Sequence, residues 1–332
     1  MTMIALTSLE SVSKTFVHSL STPFSIQRPL ELFSSADPLA VAFVIATLVG
    51  TWCLLASWVT GNCSQVDCLW SILPVIYSWF FAGRAYLEDL VPSSRMLLMA
   101  GLVSVWGLRL TYNYYRKGGY QHGAEDYRWS YIRKRLHPLM YQLLNLTFIS
   151  YFQNYLLLGL TLPCYIAYLT RHTAVAFNVI DTIAAGLFGL FLVGEVVADE
   201  QQWRFQSRKH YKLAHSLPLS PGDEKRGFLT SGFFRYSRHP NFFCEISLWW
   251  AFYFFCVAAT TPATHFLNVR IESVRDLLLW PIAAPVALLL LFVGSTTLTE
   301  HISAEKYEDY HIYRRATSMF VPLPPNKRVK LE

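Results

Sequence analysis

The chain has 332 residues, of which 53% are hydrophobic and 15% are charged, well below the roughly 25% charged residues of typical soluble proteins. Its formal net charge is +6, and aromatic residues make up 16% of it. This composition excludes a soluble globular domain and a disordered chain. With 16 glycines, 16 prolines and 6 cysteines it also excludes a collagen-like repeat and a disulfide scaffold. The sequence therefore predicts a polytopic membrane protein whose main partner is the lipid bilayer, with no nucleic-acid partner.

The amino-terminal 37 residues carry no compact apolar segment of the kind found in a cleaved signal peptide. We expect residues 1–37 to form a poorly ordered tail, and the first apolar run after them to direct membrane insertion. A single membrane domain is predicted to follow, over residues 38–323.

Five apolar runs predict membrane-spanning helices. Residues 38–60 and 277–299 contain no charged side chain over 23 residues each, enough to cross a hydrocarbon core of about 30 Å. The other three runs cover residues 138–169, 173–197 and 242–264. The first of these is uncharged for 32 residues, and the sequence leaves open whether it forms one span or a re-entrant pair.

Two weaker apolar runs, residues 68–83 and 96–115, raise the expected number of spans to about seven. The first contains Pro74 and the second contains Arg109. Backbone groups in lipid need hydrogen-bond partners within the protein, and these runs do not alternate as barrel strands do. The predicted fold is therefore an all-α transmembrane helix bundle.

The lysines and arginines are sorted between the connections of this bundle. If the carboxyl terminus is cytosolic, 20 of the 28 basic residues fall on the cytosolic side and 7 on the other, with Arg109 inside a span. Such an excess on the cytosolic side is typical of membrane proteins. We therefore expect the carboxyl terminus in the cytosol.

Residues 324–332 form a basic carboxyl-terminal tail. Its last five residues place Arg328 and Lys330 five and three positions from the end, which approximates the dibasic retrieval signal of endoplasmic reticulum membrane proteins. The alternative is an ordinary basic tail that binds anionic lipid headgroups. The first interpretation predicts residence in the endoplasmic reticulum.

The cysteines give no indication of a metal site. They show neither a C-x-x-C pair nor a cluster with ligand spacing. We interpret most of them as small packing residues and expect no bound metal.

Four acidic residues fall in or beside the apolar runs, at Asp67, Asp181, Glu195 and Glu245. A carboxylate in a membrane needs a partner, a wet cavity or the headgroup boundary, so each is a functional hypothesis. Asp67, Glu195 and Glu245 lie near the predicted cytosolic ends of their spans. Asp181 lies closer to the opposite leaflet, where we expect a structural contact between helices.

The segment from Gly227 to Glu245 carries the densest set of polar residues. Its arginines Arg235 and Arg238 and His239 precede Asn241, which is placed to cap a helix. Guanidinium groups beside a helix start are suited to phosphate binding. The alternative interpretation is a basic cluster that only marks the membrane boundary.

The residues from Arg235 to Glu245 resemble the cofactor-binding signature of a membrane superfamily, that of the steroid 5-alpha-reductases, sterol reductases and isoprenylcysteine carboxyl methyltransferases. Residues 198–205 and 300–322 resemble the flanking parts of the same site. Upstream, residues 66–70, 106–109 and 123–129 resemble a branch of uncharacterised membrane proteins in this superfamily. The chain departs from the signature at Cys244, where the family usually has glycine.

This resemblance implies a cytosol-facing cofactor cavity, built by the last spans within residues 195–323. The cofactor is NADPH in the reductase branches and S-adenosylmethionine in the methyltransferase branch. We expect NADPH, because its phosphates would use the basic cluster. The predicted cofactor ligands are Asp199, Tyr236, Arg238, His239, Asn241 and Glu245 by matching position, with Glu195 and Glu300 beside them and Arg235 from the basic cluster.

The expected reaction is reduction of an activated C=C bond in a lipophilic substrate such as a steroid, a sterol or a fatty-acyl compound. An acid must then stabilise the developing enolate or donate a proton. Asp67, Arg109 and Tyr112 are the predicted catalytic residues, although Asp67 and Arg109 form a structural ion pair in the alternative interpretation. Two other functions stay open: methyl transfer to a lipophilic substrate, and lipid binding without catalysis. The sequence leaves the oligomeric state open.

Overall fold

A computed structural model of the chain describes residues 9–21, 36–173, 177–262, 267, 271, 273–326 and 328. Throughout these residues the regular elements are helices, apart from one isolated bridge between Ser237 and Ser318. In chain order the helices are α1 (Leu9–Ser21), α2 (Pro38–Thr60), α3 (Gln65–Leu69), α4 (Leu73–Asp89), α5 (Ser94–Arg116), α6 (Tyr127–Arg133), α7 (Pro138–Leu160), α8 (Leu162–Leu169), α9 (Val179–Ala214), α10 (Asp223–Arg226), α11 (Pro240–Thr260), α12 (Ala283–Lys306) and α13 (Tyr310–Ala316). Short 3-10 turns cover Gly232–Arg235, Val274–Leu277 and Trp280–Ile282.

Five of these helices are long and apolar enough to cross a membrane: α2, α7, α9, α11 and α12 together with the turn before it. They coincide with the five charge-poor runs, so the predicted all-α polytopic bundle is confirmed. The two weaker runs also form helices, α4 with 17 residues and α5 with 23. Neither is among the five, and the count of seven spans stays a prediction.

Residues 138–169 form one long helix followed by a short one. Helix α7 continues to Leu160 through a π-helical segment at Asn145–Phe152, and α8 begins after Thr161 with Pro163 in its first turn. A π-helical segment adds a residue to the turn and is frequent at functional sites. The run therefore contains one helix that is long and apolar enough to cross a membrane, followed by a short helix.

The chain divides into two compact units. The first contains Met1–Gly186 and Trp250–Ala287, and the second contains Leu187–Trp249 and Leu288–Glu332. Helices α9, α11 and α12 each contribute residues to both units. Most of the predicted cofactor-binding part, residues 195–323, falls in the second unit.

In the first unit, α2 begins where Asp37 caps it. The Asp37 carboxylate accepts hydrogen bonds from the amides of Leu39 and Ala40 at 2.9 and 3.1 Å. Pro38 at the first helical position has no amide hydrogen that would need a partner. The sequence at this point thus specifies the start of the span.

Helices α2 and α7 are joined by polar side chains along most of their length. Thr47 bonds to Tyr155 at 3.0 Å, and Thr51 bonds to Tyr151 at 2.9 Å. Further along, Asn145 Nδ2 donates to Ser57 Oγ at 2.7 Å. Residue numbers rise along one helix as they fall along the other, so the two helices are antiparallel. Such bonds hold membrane helices together where the hydrophobic effect between helices is absent.

Asp181 makes the structural contact expected for it. Its carboxylate accepts a bidentate pair of hydrogen bonds from Arg95 at 2.7 and 2.8 Å, and it is fully buried. It also accepts from the amide of Asn178, whose side chain in turn caps the start of α9. The pair thus fixes the start of α9 to α5.

The predicted amino-terminal tail contains a helix. Helix α1 covers Leu9–Ser21, with Val12 buried. Residues 1–8 and 22–35, and the Lys330 of the predicted retrieval signal, lie outside the described residues.

Candidate functional site

The site predicted from the sequence is built on α9 and α11 of the second unit. Asn241 Nδ2 on α11 donates to Asp199 Oδ1 on α9 at 3.3 Å. Five residues earlier on α9, Gly194 lies against Cys244 of α11. These two contacts make the helices antiparallel, and their register places Glu195 at the level of Glu245.

Three carboxylates are buried along this pair of helices. Glu195 and Asp199 are one helical turn apart on α9, with 4% and 6% of their surface exposed. Glu245 on α11 is 4% exposed and accepts a hydrogen bond from Trp249 Nε1 at 2.8 Å. Burial of acids between apolar helices is costly, so such residues are usually retained for a function.

Cys244 occupies the space that a glycine on the facing helix provides. A Cβ atom at Gly194 would lie 2.9 Å from the Cys244 sulfur. The usual signature has glycine at position 244, whereas here the glycine stands opposite, at position 194. The departure from the signature is therefore compensated locally, and the helices still approach closely.

The loop that leads into the signature depends on Gly232. Its φ is +62°, and a Cβ atom there would meet the Gln201 side chain at 2.6 Å. Gln201 Oε1 accepts from the amide of Phe233 at 2.9 Å. A glycine is therefore required at this turn, both for its backbone conformation and for the close approach of α9.

Arg238 is engaged by the protein itself. Its Nε and Nη2 donate to the two oxygens of Glu300 at 2.6 and 3.1 Å. Its Nη1 donates to the backbone carbonyls of Arg314 and Thr317 at the end of α13. Within the described residues these hydrogen bonds use four of its five N–H groups, so a phosphate here would compete with Glu300.

Glu300 contacts two further basic residues. His239 Nε2 lies 3.0 Å from Oε1, and Arg314 Nε lies 3.3 Å from Oε2. Glu300 is fully buried, whereas Arg314 is half exposed. The buried Glu300 near the end of α12 thus joins Arg238, His239 and Arg314.

The segment after α13 runs beside the signature. The amides of Arg238 and His239 donate to the carbonyls of Ser318 and Met319 at 2.9 and 3.1 Å. The hydroxyl of Tyr313 donates to the carbonyl of Phe234. Burial, together with the neighbouring Tyr310, raises the pKa of Tyr313, so this hydroxyl keeps its proton at neutral pH.

Arg235 and Tyr236 are the predicted ligands that face outward. Arg235 is exposed and makes no ion pair in the part of the chain that the structure describes, and Tyr236 is 44% exposed. Arg315 and Lys306 are exposed as well. The second unit therefore presents buried acids on α9, α11 and α12, and accessible cations on the signature loop and at the ends of α12 and α13.

The predicted catalytic residues belong to the first unit. Asp67 accepts a hydrogen bond from Trp129 Nε1 at 3.1 Å. Burial raises the pKa of the Asp67 carboxyl, and the Asp126 carboxylate adds to this effect. Tyr112 is 60% exposed, with the Arg116 guanidinium 5.4 Å from its ring centre. An ion pair between Asp67 and Arg109 stays a prediction.

The comparisons with known proteins now give the family. A model of a family described as proteins of unknown function, DUF1295, matches residues 51–317. The chain belongs to the DUF1295 family. An uncharacterized family relative from Schizosaccharomyces pombe is 39% identical over 302 residues, covering 88% of this chain and 82% of the relative. No solved structure matches the chain.

Two features of this DUF1295 protein were missed in the sequence. Gly194 gave no signal, because one glycine in an apolar run has many possible roles. Glu224 lies outside every motif, yet it holds the loop before the signature: it pairs with Lys212 at 2.6 Å and accepts from the amide of Ser220 at 2.8 Å.

Proposed function

We propose that this protein is an integral membrane oxidoreductase that uses NADPH to reduce an activated C=C bond in a lipophilic substrate. The observation that carries the proposal is the buried polar cluster of Glu195, Asp199, Asn241 and Glu245 on two apolar helices. Together with the signature at residues 235–245, it supports membership of the steroid 5-alpha-reductase superfamily.

The residues of the second unit fit a dinucleotide in two parts. Carboxylates accept hydrogen bonds from ribose hydroxyls, and Asp199 and Glu245 are placed for this beside the amide of Asn241. Phosphate oxygens need accessible cations, which Arg235 and Arg315 provide. Arg238 and His239 act indirectly. Both side chains bind Glu300, and they fix the loop that carries Arg235 and Tyr236.

When bound, NADPH would supply the hydride for one carbon of the double bond. A proton from the protein goes to the other carbon, or first to the oxygen of the activating carbonyl. We propose Asp67, Arg109 and Tyr112 for this proton transfer. The raised pKa of Asp67 favours its protonated form, which is the form that donates.

We infer a cytosolic carboxyl terminus and residence in the endoplasmic reticulum for this reductase. The support is the excess of basic residues on one side of the predicted topology and the basic tail. The NADPH site would then face the cytosol.

Methyl transfer is the second function that an observation favours. Four carboxylates, Glu195, Asp199, Glu245 and Glu300, are buried in the second unit, and Glu300 offsets the charge of Arg238. Such an acidic environment suits the sulfonium cation of S-adenosylmethionine. A lipophilic thiolate or carboxylate would then be the methyl acceptor.

Cofactor binding separates these functions. The detergent-purified protein is titrated with NADPH, NADH and S-adenosylmethionine, and the midpoint of thermal unfolding is measured. Saturating NADPH at about 100 times Kd should stabilise the protein by about 2.7 kcal/mol. Stabilisation by S-adenosylmethionine alone would contradict the reductase, and no stabilisation by any of the three would favour a non-catalytic lipid-binding protein.

The most informative variant is Arg235→Ala. Its side chain is exposed and makes no ion pair within the described residues, so the variant should fold normally and bind NADPH about tenfold more weakly. Arg204→Ala, which removes an exposed arginine paired only with Glu200 one turn away, is the matched control. Arg238→Ala is less informative, because it would disturb the fold as well as the site.

A further inference from the structure

A second group of polar side chains surrounds a cavity in the first unit. The cavity has a volume of about 500 Å³, within the range of roughly 300–1,000 Å³ for small-molecule sites. Its wall is built from the last turn of α2, with Ser57 and Trp58, and the first turns of α7, with Tyr141 and Gln142. Arg133, at the end of α6, completes it.

The ends of two spans place this cavity at the membrane boundary. Helices α2 and α7 are both long and apolar enough to cross the bilayer. Because they are antiparallel, the last turn of α2 and the first turn of α7 lie at the same end of the pair. Trp58, 56% exposed at this end, is a residue type typical of the interface between hydrocarbon and headgroups.

The cavity offers more hydrogen-bond donors than the protein uses. Arg133 uses Nη2 for its bonds to Glu125 at 2.5 Å, to the Gly61 carbonyl at 3.0 Å and to the Tyr141 hydroxyl at 3.2 Å. Within the described residues its Nε and Nη1 make no hydrogen bond, and its side chain is 39% exposed. They provide three N–H donors on a cation.

Gln142 adds two neutral donors beside this cation. Its Oε1 accepts from Trp58 Nε1 at 2.9 Å, which orients the side chain. Its amide NH₂ makes no hydrogen bond to any other described residue. Ser57 Oγ already accepts a hydrogen bond from Asn145 Nδ2 at 2.7 Å. The Cys63 sulfur already accepts one from the Tyr141 hydroxyl at 3.1 Å. The cavity is therefore suited to a ligand that accepts hydrogen bonds and carries negative charge.

We propose that this cavity binds an anionic membrane amphiphile. Its head, a carboxylate or a phosphate, accepts hydrogen bonds from Arg133 and Gln142, and its acyl chain lies along Trp58 towards the hydrocarbon. The site is separate from the proposed NADPH site and does not rest on the proposed reductase function.

The test is ligand binding by the full-length protein in a neutral detergent. The midpoint of thermal unfolding is followed during titration with oleate, with dioleoyl phosphatidate and with uncharged monoolein. At least one of the two anionic ligands should stabilise the protein saturably, at a concentration about tenfold or more below that needed for monoolein. The anionic ligand that binds identifies the head as a carboxylate or a phosphate.

Two variants with matched controls locate the site. Arg133→Gln should weaken binding about tenfold, whereas Arg135→Gln removes the same charge from an arginine that stacks on Tyr131 at 3.3 Å and should leave binding within about twofold. Gln142→Met keeps the net charge and removes both amide donors, and should weaken binding several-fold. If the thermal unfolding of Arg133→Gln without ligand shows that this variant does not fold, the Gln142→Met variant decides the result.

Three results would overturn the proposal. Equal binding of monoolein and both anionic ligands would remove the role of the charged head. Equal losses in Arg133→Gln and Arg135→Gln, or unchanged binding in Gln142→Met, would show that the anions bind elsewhere. Equal stabilisation by inorganic phosphate would show an ion site that makes no use of an acyl chain.

Discussion

Glu300 determines how the basic residues of the signature are used. A buried carboxylate that faces Arg238, His239 and Arg314 joins these three residues in a structural cluster. The consequence is a division of roles, in which Arg238 fixes the loop and Arg235 stays accessible. Removing one member of a buried ion pair leaves the other charge buried without its partner. The resulting loss of stability exceeds the net contribution of the intact pair to stability.

We therefore expect Glu300→Gln to lower the free energy of unfolding by about 3–5 kcal/mol, because Arg238 keeps its charge in a buried position. Denaturant unfolding in detergent would measure this. Arg314→Gln removes a half-exposed partner of the same carboxylate and should lower it by less than about 1 kcal/mol. Equal effects of the two substitutions would mean that Glu300 is not the centre of the cluster.

Glu224 gives a prediction of pH dependence at the same scale. Hydrogen bonds from Lys212 and from the Ser220 amide lower the pKa of Glu224 from 4.5 to about 2. A carboxyl group whose pKa is lower in the folded state stabilises the protein at pH values above its unfolded pKa. This contribution is lost as the pH falls from 4.5 towards 2. The stability difference between wild type and Glu224→Gln should be constant from pH 7 to pH 5 and mostly lost by pH 2.5. A difference that stays constant through this range would contradict the assignment.

At the scale of elements, the close approach of α9 and α11 depends on one glycine and one cysteine. A Cβ atom at Gly194 would lie 2.9 Å from the Cys244 sulfur, so either the Cys244 side chain or one of the two helices must shift when both side chains are present. Five residues along α9, a Cβ atom at Gly189 would meet nothing within 4 Å.

The pair can be tested by a double-mutant cycle. Gly194→Ala should destabilise the protein by about 1–3 kcal/mol through overpacking, and adding Cys244→Gly should restore much of this loss, with a coupling of roughly 0.5–3 kcal/mol. Gly189→Ala is the control and should be neutral or stabilising, because alanine favours a helix over glycine by about 1 kcal/mol. Additive effects of Gly194→Ala and Cys244→Gly would show that the two side chains do not meet.

The elements also show how far hydrophobicity predicts structure. The five charge-free or charge-poor runs became the five long apolar helices. The predicted span at 173–197, however, is part of a helix that ends only at Ala214. The residues after position 197 are polar but favour helix, as Glu200, Gln201 and Arg204 do. Hydrophobicity marks where the apolar part of a helix ends, while the helix itself continues.

The site was predictable in its residue types but not in its contacts. The sequence placed Asp199, Asn241 and Glu245 in one site, and the structure joins Asp199 to Asn241. The sequence did not predict the partner of Arg238, because Glu300 is 62 positions away and only the tertiary fold brings the two residues together.

At the scale of the whole molecule, the sorting of basic residues predicts the topology. With 20 basic residues on the side of the carboxyl terminus, a tag after residue 332 should be digested by protease added to sealed microsomes whose cytosolic face is outside. A tag before residue 1 should be protected under the seven-span prediction. A protected carboxyl-terminal tag would contradict both the topology and the cytosolic cofactor site.

The proposed reductase function requires the second unit to bind NADPH through α9, α11 and the signature loop. Hydrogen–deuterium exchange of the detergent-purified protein with and without NADPH tests it most directly. We predict slower exchange in residues 195–203, 232–245 and 312–320, with smaller changes in the Arg235→Ala variant at the same NADPH concentration. Unchanged exchange in these three segments at saturating NADPH, or protection confined to the first unit, would contradict the account.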